Sequence, residues 1–290
     1  MDGMIIINKP QGCTSHDIVK KAKKIFHEKV GHTGTLDPMA TGVLPLLIGK
    51  GTLCSKYLIN HDKVYDVQLT LGVKTDTADK EGTRIEEKQV AQEVFQREKL
   101  EEVLHSFLGR QEQFPPIYSA IKVKGKKLYE YARKGQAVDI KPRQIEIYQI
   151  QLQKIEVEQK QIEWQVACSK GTYIRSLCED IARKLGTIGY MSGLNRIQVG
   201  NFSIADAISM DELEENRENK HFIEQYFITL EKFFQEKLVI HLEDRKLELF
   251  LNGVKLTQKL EDGNYRVYHN GKFIGIGIVQ NQLLKRDIIL

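Results

Sequence analysis

The sequence predicts a mixed α+β fold: a largely antiparallel sheet with helices packed on it, followed by a small C-terminal β-rich unit. Three observations lead there. Strand and helix patterns follow one another irregularly, without the regular alternation of a parallel doubly wound sheet. The clearest strand signal, Lys63 to Leu71, alternates apolar and polar residues, as expected for a sheet buried on one face. From about Lys237 onward the chain reads as short strands punctuated by Asn252-Gly253, Asp262-Gly263 and Asn270-Gly271.

Taken in order, Met4 to Ile7 reads as a short buried strand. Thr14 and Asp17 then have the spacing of a capping arrangement before a helix that carries Ile18, Val19, Ala22, Ile25 and Phe26 on one face. The segment Gly31 to Gly42, rich in Gly, Thr and Pro, is expected to be an ordered loop leading into the apolar strand Val43 to Ile48. A Glu- and Leu-rich helix near Arg97 to Leu108 stops at Gly109, and a second near Lys127 to Lys134 stops at Gly135. Two long strands fill Arg143 to Ser169, and a helix runs from about Tyr173 to Leu185 and ends at Gly186. After an acidic stretch around Ser209 to Lys220, Phe222 to Phe234 reads as an apolar helix, with the boundary to the C-terminal unit behind it.

The 290 residues, 41% hydrophobic and 28% charged, match a globular protein with one or two ordinary cores. The apolar runs are far shorter than the roughly 20 residues that span a bilayer, and the N-terminus lacks a basic-then-apolar signal pattern, so a cytoplasmic protein is expected. Cys13, Cys54, Cys168 and Cys178 form no C-x-x-C pair and read as reduced thiols. The net charge of +4 is unevenly spread. Gly109 to Arg143 carries nine basic and three acidic residues, interleaved with Phe114, Tyr118, Tyr129 and Tyr131. Such a mixture suits phosphates and unpaired bases, although a basic run alone equally describes a solvated surface.

Common chemistries fail on spacing. Six residues separate Gly42 from Gly49-Lys50, so no Walker loop forms in register. Gly275-Ile-Gly277 lies too near the C-terminus to open a dinucleotide-binding unit. The eight histidines show no H-x-x-x-H or H-x-H spacing, and no G-x-S-x-G elbow occurs. What stands out is Gly31-His32-Thr33-Gly34-Thr35-Leu36-Asp37-Pro38, a carboxylate in a loop stiffened by Thr and Pro. On spacing alone, Asp37 is either a reactive group or a turn former that caps backbone amides.

Several motifs in order resemble the TruB family of bacterial tRNA pseudouridine(55) synthases. Met4 to Gly12, ending Asn8-Lys9-Pro10-Gln11-Gly12, is similar to the family's first motif, and Gly31 to Pro38 with Ala40-Thr41-Gly42-Val43-Leu44 to its catalytic motif. Lys63-Val64-Tyr65 before Leu71-Gly72 and Thr75-Asp76-Thr77 resembles the tyrosine motif, and Lys170-Gly171-Thr172-Tyr173-Ile174-Arg175 the arginine motif. Phe114-Pro115-Pro116-Ile117-Tyr118-Ser119-Ala120 with Lys122, Gly125 and Tyr129 resembles an RNA-gripping insertion, and Tyr265 to Gly277 a PUA-like RNA-binding domain. One departure is Leu194-Asn195-Arg196-Ile197, one basic residue fewer than the family's usual Leu-Arg-Arg-Thr.

The resemblance implies a pseudouridine synthase catalytic domain over 1–236, with the insertion at 109–143, and a PUA-like domain over 237–290. It implies isomerisation of a T-loop uridine, U55, in tRNA, with no cofactor and no metal. Asp37 would be the catalytic carboxylate, acting as nucleophile on base or sugar or as a base. Tyr65 would stack on the extruded uracil and Arg175 would pair with Asp37, while His32, Tyr173 and Lys9 would be further substrate-binding residues. The expected partner is the T arm of tRNA, without membrane or guide RNA, the chain acting as a monomer. Two alternatives are a non-catalytic RNA binder, which would tolerate Asp37→Asn, and a guide-RNA-dependent synthase, in which the 109–143 insertion would be redundant.

Overall fold

The computed structural model describes residues 1–119 and 121–290; Ala120, the last residue of the Phe114–Ala120 motif, lies outside the described residues. Among these residues, eleven strands form one sheet. Its main path runs from Ile208–Ser209 at one edge through Gly3–Lys9, Thr41–Ile48, Gly189–Val199, Lys63–Leu71, Gln161–Cys168 and Arg143–Glu156 to Gly109–Gln113. Two neighbour pairs on that path are parallel, Ile208–Ser209 with Gly3–Lys9 and Gly189–Val199 with Thr41–Ile48; the rest are antiparallel.

Period-two patterning decides which face is buried. Tyr65, Val67, Leu69 and Leu71 turn inward opposite Val166, Trp164 and Ile162 of the neighbouring strand, whereas Asp66, Gln68 and Gln165 turn outward. Helices Ser15–Phe26 and Ile174–Lys184 set Ile18, Val19 and Ala22, and Leu177, Cys178 and Ile181, into that core. The first helix begins with the capping box its sequence suggests. Asp17 N–H donates to Thr14 Oγ1 at 3.1 Å while Thr14 N–H donates to Asp17 Oδ2 at 3.1 Å.

The parallel seam between Thr41–Ile48 and Gly189–Val199 consists of Thr41 opposite Asn195 and Gly42 opposite Arg196. Gly42 holds φ at +103°, and a Cβ there would lie 2.2 Å from the Arg196 carbonyl oxygen. Only glycine meets both demands.

A second sheet of five strands runs Val239–His241, Gly263–His269, Lys272–Gln280, Leu283–Ile289 and Leu256–Thr257. Its hairpin turn uses Asn270 and Gly271, both at positive φ (47° and 76°), as the Asn-Gly signal predicts. The two sheets share apolar packing: Phe273, Ile276 and Ile288 meet Met4, Leu47, Cys54 and Leu58 in one cluster. Beside it the half-buried Asp287 carboxylate accepts from Lys56 and Tyr57 of the large sheet's side.

Four expectations are corrected. Phe222 to Phe234 is not one helix: Lys220–Tyr226 is followed by the strand Phe227–Thr229, then a short helix Leu230–Phe233. Pairing of Phe227–Thr229 with Gly3–Ile5 in the sheet outweighs the apolar helical pattern. The helix expected at Lys127 to Lys134 is present but shorter, Leu128–Ala132. The C-terminal unit also contains the helix Asp244–Leu251. Finally, the ends of the 109–143 segment belong to the sheet itself: the edge strand Gly109–Gln113 pairs with Arg143–Glu156, with Arg143 opposite Gln113 and Ile147 opposite Gly109. The segment between them therefore leaves and re-enters the sheet at one point.

Candidate active site

A cleft of about 470 Å³ opens between the Gly34–Asp37 loop, the strand carrying Lys63 and Tyr65, Tyr118 of the basic segment, and the Tyr173–Arg175 helix start. Met191, Leu194 and Arg196 of Gly189–Val199 add a fifth stretch to its walls. Asp37 stands on the loop between Leu36, which is buried, and Pro38. That loop is pinned from the helix side: Leu36 N–H donates to Ser15 Oγ at 2.9 Å, and the same hydroxyl donates to Leu36 C=O at 3.2 Å.

Arg175 occupies the second position of the Ile174–Lys184 helix and is 7% exposed. Its Nε lies 3.1 Å from Asp37 Oδ2 and its Nη2 3.3 Å from Oδ1, a two-point grip that fixes the carboxylate plane. The other guanidinium donors are engaged as well. Nη1 donates to Thr77 C=O at 3.2 Å and lies 3.5 Å from Asp79 Oδ2, and Nη2 donates to Tyr118 C=O at 3.0 Å. Asp79 is buried and accepts from Thr77 Oγ1 at 2.7 Å and from Glu81 N–H at 3.1 Å, so it does not compete by swinging. Burial raises the Asp37 pKa; Arg175 opposes that, Asp79 adds to it and Lys9 subtracts.

Tyr65 is buried with its ring at the cleft wall, and burial raises the pKa of its phenol while Arg196 pulls it back. Arg196, opposite Tyr65 in the sheet register, is 1% exposed. Its guanidinium donates through Nε to Val43 C=O at 2.8 Å and through Nη2 to Gly34 C=O at 2.8 Å. It makes no ion pair among the described residues. A buried cation held only by carbonyls and facing a phenol ties the loop, the seam and Tyr65 into one unit.

The remaining expected residues separate into two groups. Tyr173 lines the cleft, and its backbone is clamped by Gln113: Tyr173 N–H donates to Gln113 Oε1 at 2.8 Å and Gln113 Nε2 donates to Tyr173 C=O at 3.0 Å. Ser176 Oγ donates to Phe114 C=O at 2.9 Å, so the root of the basic segment is fastened to the same helix start. Lys9 and His32, by contrast, do not line the cleft. Lys9 is fully buried behind the loop, its Nζ donating to Ala40 C=O at 2.7 Å, Pro10 C=O at 2.8 Å and Pro38 C=O at 3.3 Å. It shapes the backbone around Asp37 from the far side. His32 belongs to the short strand Val30–His32, where burial lowers its pKa and Arg196 and His16 reinforce the effect. Both influences favour the neutral imidazole over the cation.

Sequence reasoning missed Asp79 and the inward role of Arg196. Asp79 had no signal beyond following Thr75-Asp76-Thr77. Arg196 stood out only as part of the departing Leu194-Asn195-Arg196-Ile197 motif, because the broken alternation of Gly189–Val199 hid a central strand. Asn195 faces the other way, its Oδ1 accepting from Thr41 Oγ1 at 3.1 Å.

Three family models cover this arrangement in sequence. The TruB family pseudouridylate synthase N-terminal domain matches residues 22–174, the tRNA pseudouridylate synthase B C-terminal domain 175–238, and the Pseudouridine synthase II TruB C-terminal domain 239–285. The chain belongs to the TruB family of pseudouridylate synthases. It is 44% identical to the tRNA pseudouridine synthase B of Clostridium kluyveri over 96% of each chain. Against that of Caldanaerobacter subterraneus subsp. tengcongensis it is 42% identical over 98% of each. Among solved structures, a chain of an H/ACA RNP bound to a substrate RNA containing 2'-deoxyuridine shares the fold with a TM-score of 0.69. That match is 21% identical and covers 99% of this chain and 85% of that one. The TruB fold, a mixed sheet with packed helices and a smaller C-terminal sheet, is the one described above. No helix among the described residues is long and apolar enough to cross a membrane.

Proposed function

We propose that this TruB-family enzyme converts the T-loop uridine U55 of tRNA to pseudouridine, without a guide RNA, through a reaction that depends on Asp37. The two-point Arg175–Asp37 grip at the floor of a cleft walled by Tyr65 carries this reading. The relatives at 42–44% identity bear the name tRNA pseudouridine synthase B, which supports tRNA as the substrate class.

The reaction is an isomerisation, so no group is gained or lost. The C1′–N1 bond breaks, the uracil turns, and a C1′–C5 bond forms, with C5 giving up its proton and N1 ending protonated. The target base must first leave its stack, at a cost of a few kcal/mol. Tyr65 offers a ring face that offsets part of this cost. Asp37, whose anionic form Arg175 favours against the pull of burial, supplies the carboxylate beside the sugar and base. Whether it attacks the base, attacks the sugar or removes a sugar proton, the same oxygen is required in nearly the same position. In this reading residues 1–236 form the catalytic domain and 237–290 a PUA-like domain. The exposed basic segment following Gln113 grips the RNA from beside the cleft, which is why no guide RNA is needed.

The test is incubation of the protein with unmodified tRNA transcript, without guide RNA, metal or nucleotide, and mapping of pseudouridine at each position. Pseudouridine confined to the T loop, and absent with Asp37→Asn, is the expected result. Equal binding of the transcript by both proteins, with no modification by either, would overturn it.

A further inference from the structure

Lys63 is the cation that the site chemistry leaves unused. It sits two residues before Tyr65 on the same strand and, like Tyr65, lines the cleft. Residues i and i+2 on one strand face are about 7 Å apart, so the two side chains leave the strand one pleat apart and both reach the cleft. Its stem runs along the catalytic loop: a Cβ on Gly34 would lie 3.8 Å from Lys63 Cε and 3.2 Å from Arg196 Nη1. Among the described residues Lys63 makes no ion pair; its Nζ donates only to the backbone carbonyl of His61. The one adjacent carboxylate, Asp62, is engaged instead by the Tyr148 hydroxyl at 3.2 Å.

A half-buried ammonium with donors to spare, beside a buried guanidinium and without a carboxylate, is a standing vacancy for an anion. Burial and the Arg196 charge both push its pKa down, a cost that an anionic ligand would reverse. Exposed Lys170, whose Nζ donates to Asn60 Oδ1 at 2.6 Å, adds positive potential nearby. The anion cannot be Asp37, which Arg175 already holds from the opposite wall.

We infer that Lys63 binds a phosphate flanking the uridine whose base packs on Tyr65. This rests on the reading of the cleft as the pseudouridylation site. With the base against Tyr65 and the ribose at Asp37, the span of one sugar brings a backbone phosphate toward the Lys63 side chain, rooted one pleat away on the same wall. The contact anchors the nucleotide from its phosphate end and holds C1′ still while the uracil turns.

The experiment is a cycle between protein and RNA. Wild type, Lys63→Gln and Lys63→Arg are assayed on a T-arm hairpin with all phosphates, and on two others in which the phosphate 5′ or 3′ of the target uridine is an uncharged methylphosphonate. Lys63→Gln on the all-phosphate hairpin is expected to lose about 10- to 100-fold in kcat/KM, the range of one charge-assisted hydrogen bond. Wild type should lose a similar factor on one of the two neutral hairpins, and Lys63→Gln should lose nothing further on that one. Lys63→Arg should recover most of the activity, and the salt slope of binding should fall by about 1 in Lys63→Gln. Additive losses, no loss in Lys63→Gln, or a wild type indifferent to both neutral linkages would each overturn the phosphate contact. Wild type inactive on the all-phosphate hairpin would instead overturn the reading of the site itself.

Discussion

At the scale of single residues, the site is a contest between desolvation and pairing. Burial favours neutral Asp37, whereas the guanidinium of Arg175 favours the anion, and burial contributes more. A carboxyl with a raised folded pKa adds stability that is complete below its unfolded pKa of about 3.9 and disappears as pH rises through the folded value. Asp37→Asn is therefore expected to match wild type in Tm near pH 3.5 and to equal or exceed it at pH 7, while losing all activity. Thermal melts of both proteins across pH 3.5–8 check this; a variant less stable at pH 7 than at pH 3.5, relative to wild type, would contradict it. Removing the guanidinium takes away the main opposition to burial, leaving only Lys9. Arg175→Met should thus move the acid limb of the pH–rate profile to higher pH, and Arg175→Lys, which cannot grip at two points, should cost at least ~100-fold in kcat. Wild-type turnover by Arg175→Lys would remove the grip from the mechanism.

At the scale of elements, the seam and the caps are the sensitive places. Gly42→Ala brings a Cβ within 2.2 Å of a carbonyl oxygen at a positive φ, so it should destabilise the chain by more than about 2 kcal/mol in urea unfolding. Thr14→Ala removes a cap far from the cleft and should cost about 1 kcal/mol with kcat unchanged. The sequence revealed these elements unevenly, for physical reasons. Lys63–Leu71 was legible because Tyr65, Val67, Leu69 and Leu71 give one face an unbroken apolar run, and the Thr14 cap because its donors and acceptors are local. Gly189–Val199 was not, since register shifts at Met191/Gly193 and Arg196/Gln198 break its period and Arg196 puts a charge where the core should be. Asp244–Leu251 hid behind the turn residues around it. In the same way Asp37, Tyr65, Arg175 and Tyr173 could be assigned to one site through their motifs, but nothing local distinguishes a lysine facing carbonyls, as Lys9 does, from one facing a ligand.

At the scale of the whole molecule, the smaller sheet is part of the larger one's stability. Phe273, Ile276 and Ile288 pack on Met4, Leu47 and Leu58, and Asp287 joins Lys56 and Tyr57 beside them. Phe273→Ala is therefore expected to lower stability by about 3 kcal/mol and to keep a single melting transition, as judged by calorimetry and circular dichroism together. Two separated transitions would show the sheets to be uncoupled. The cleft draws on partners that are distant in the chain: the Arg175–Asp37 pair spans 138 residues, and Arg196 reaches back 153 to Val43 and 162 to Gly34. A growing polypeptide thus exposes Asp37 long before the guanidiniums that orient it have been synthesised. In the proposed reading, catalysis waits until translation has passed Arg196 and the seam at Gly42 has closed, so an abandoned fragment would carry Asp37 but no assembled site around it.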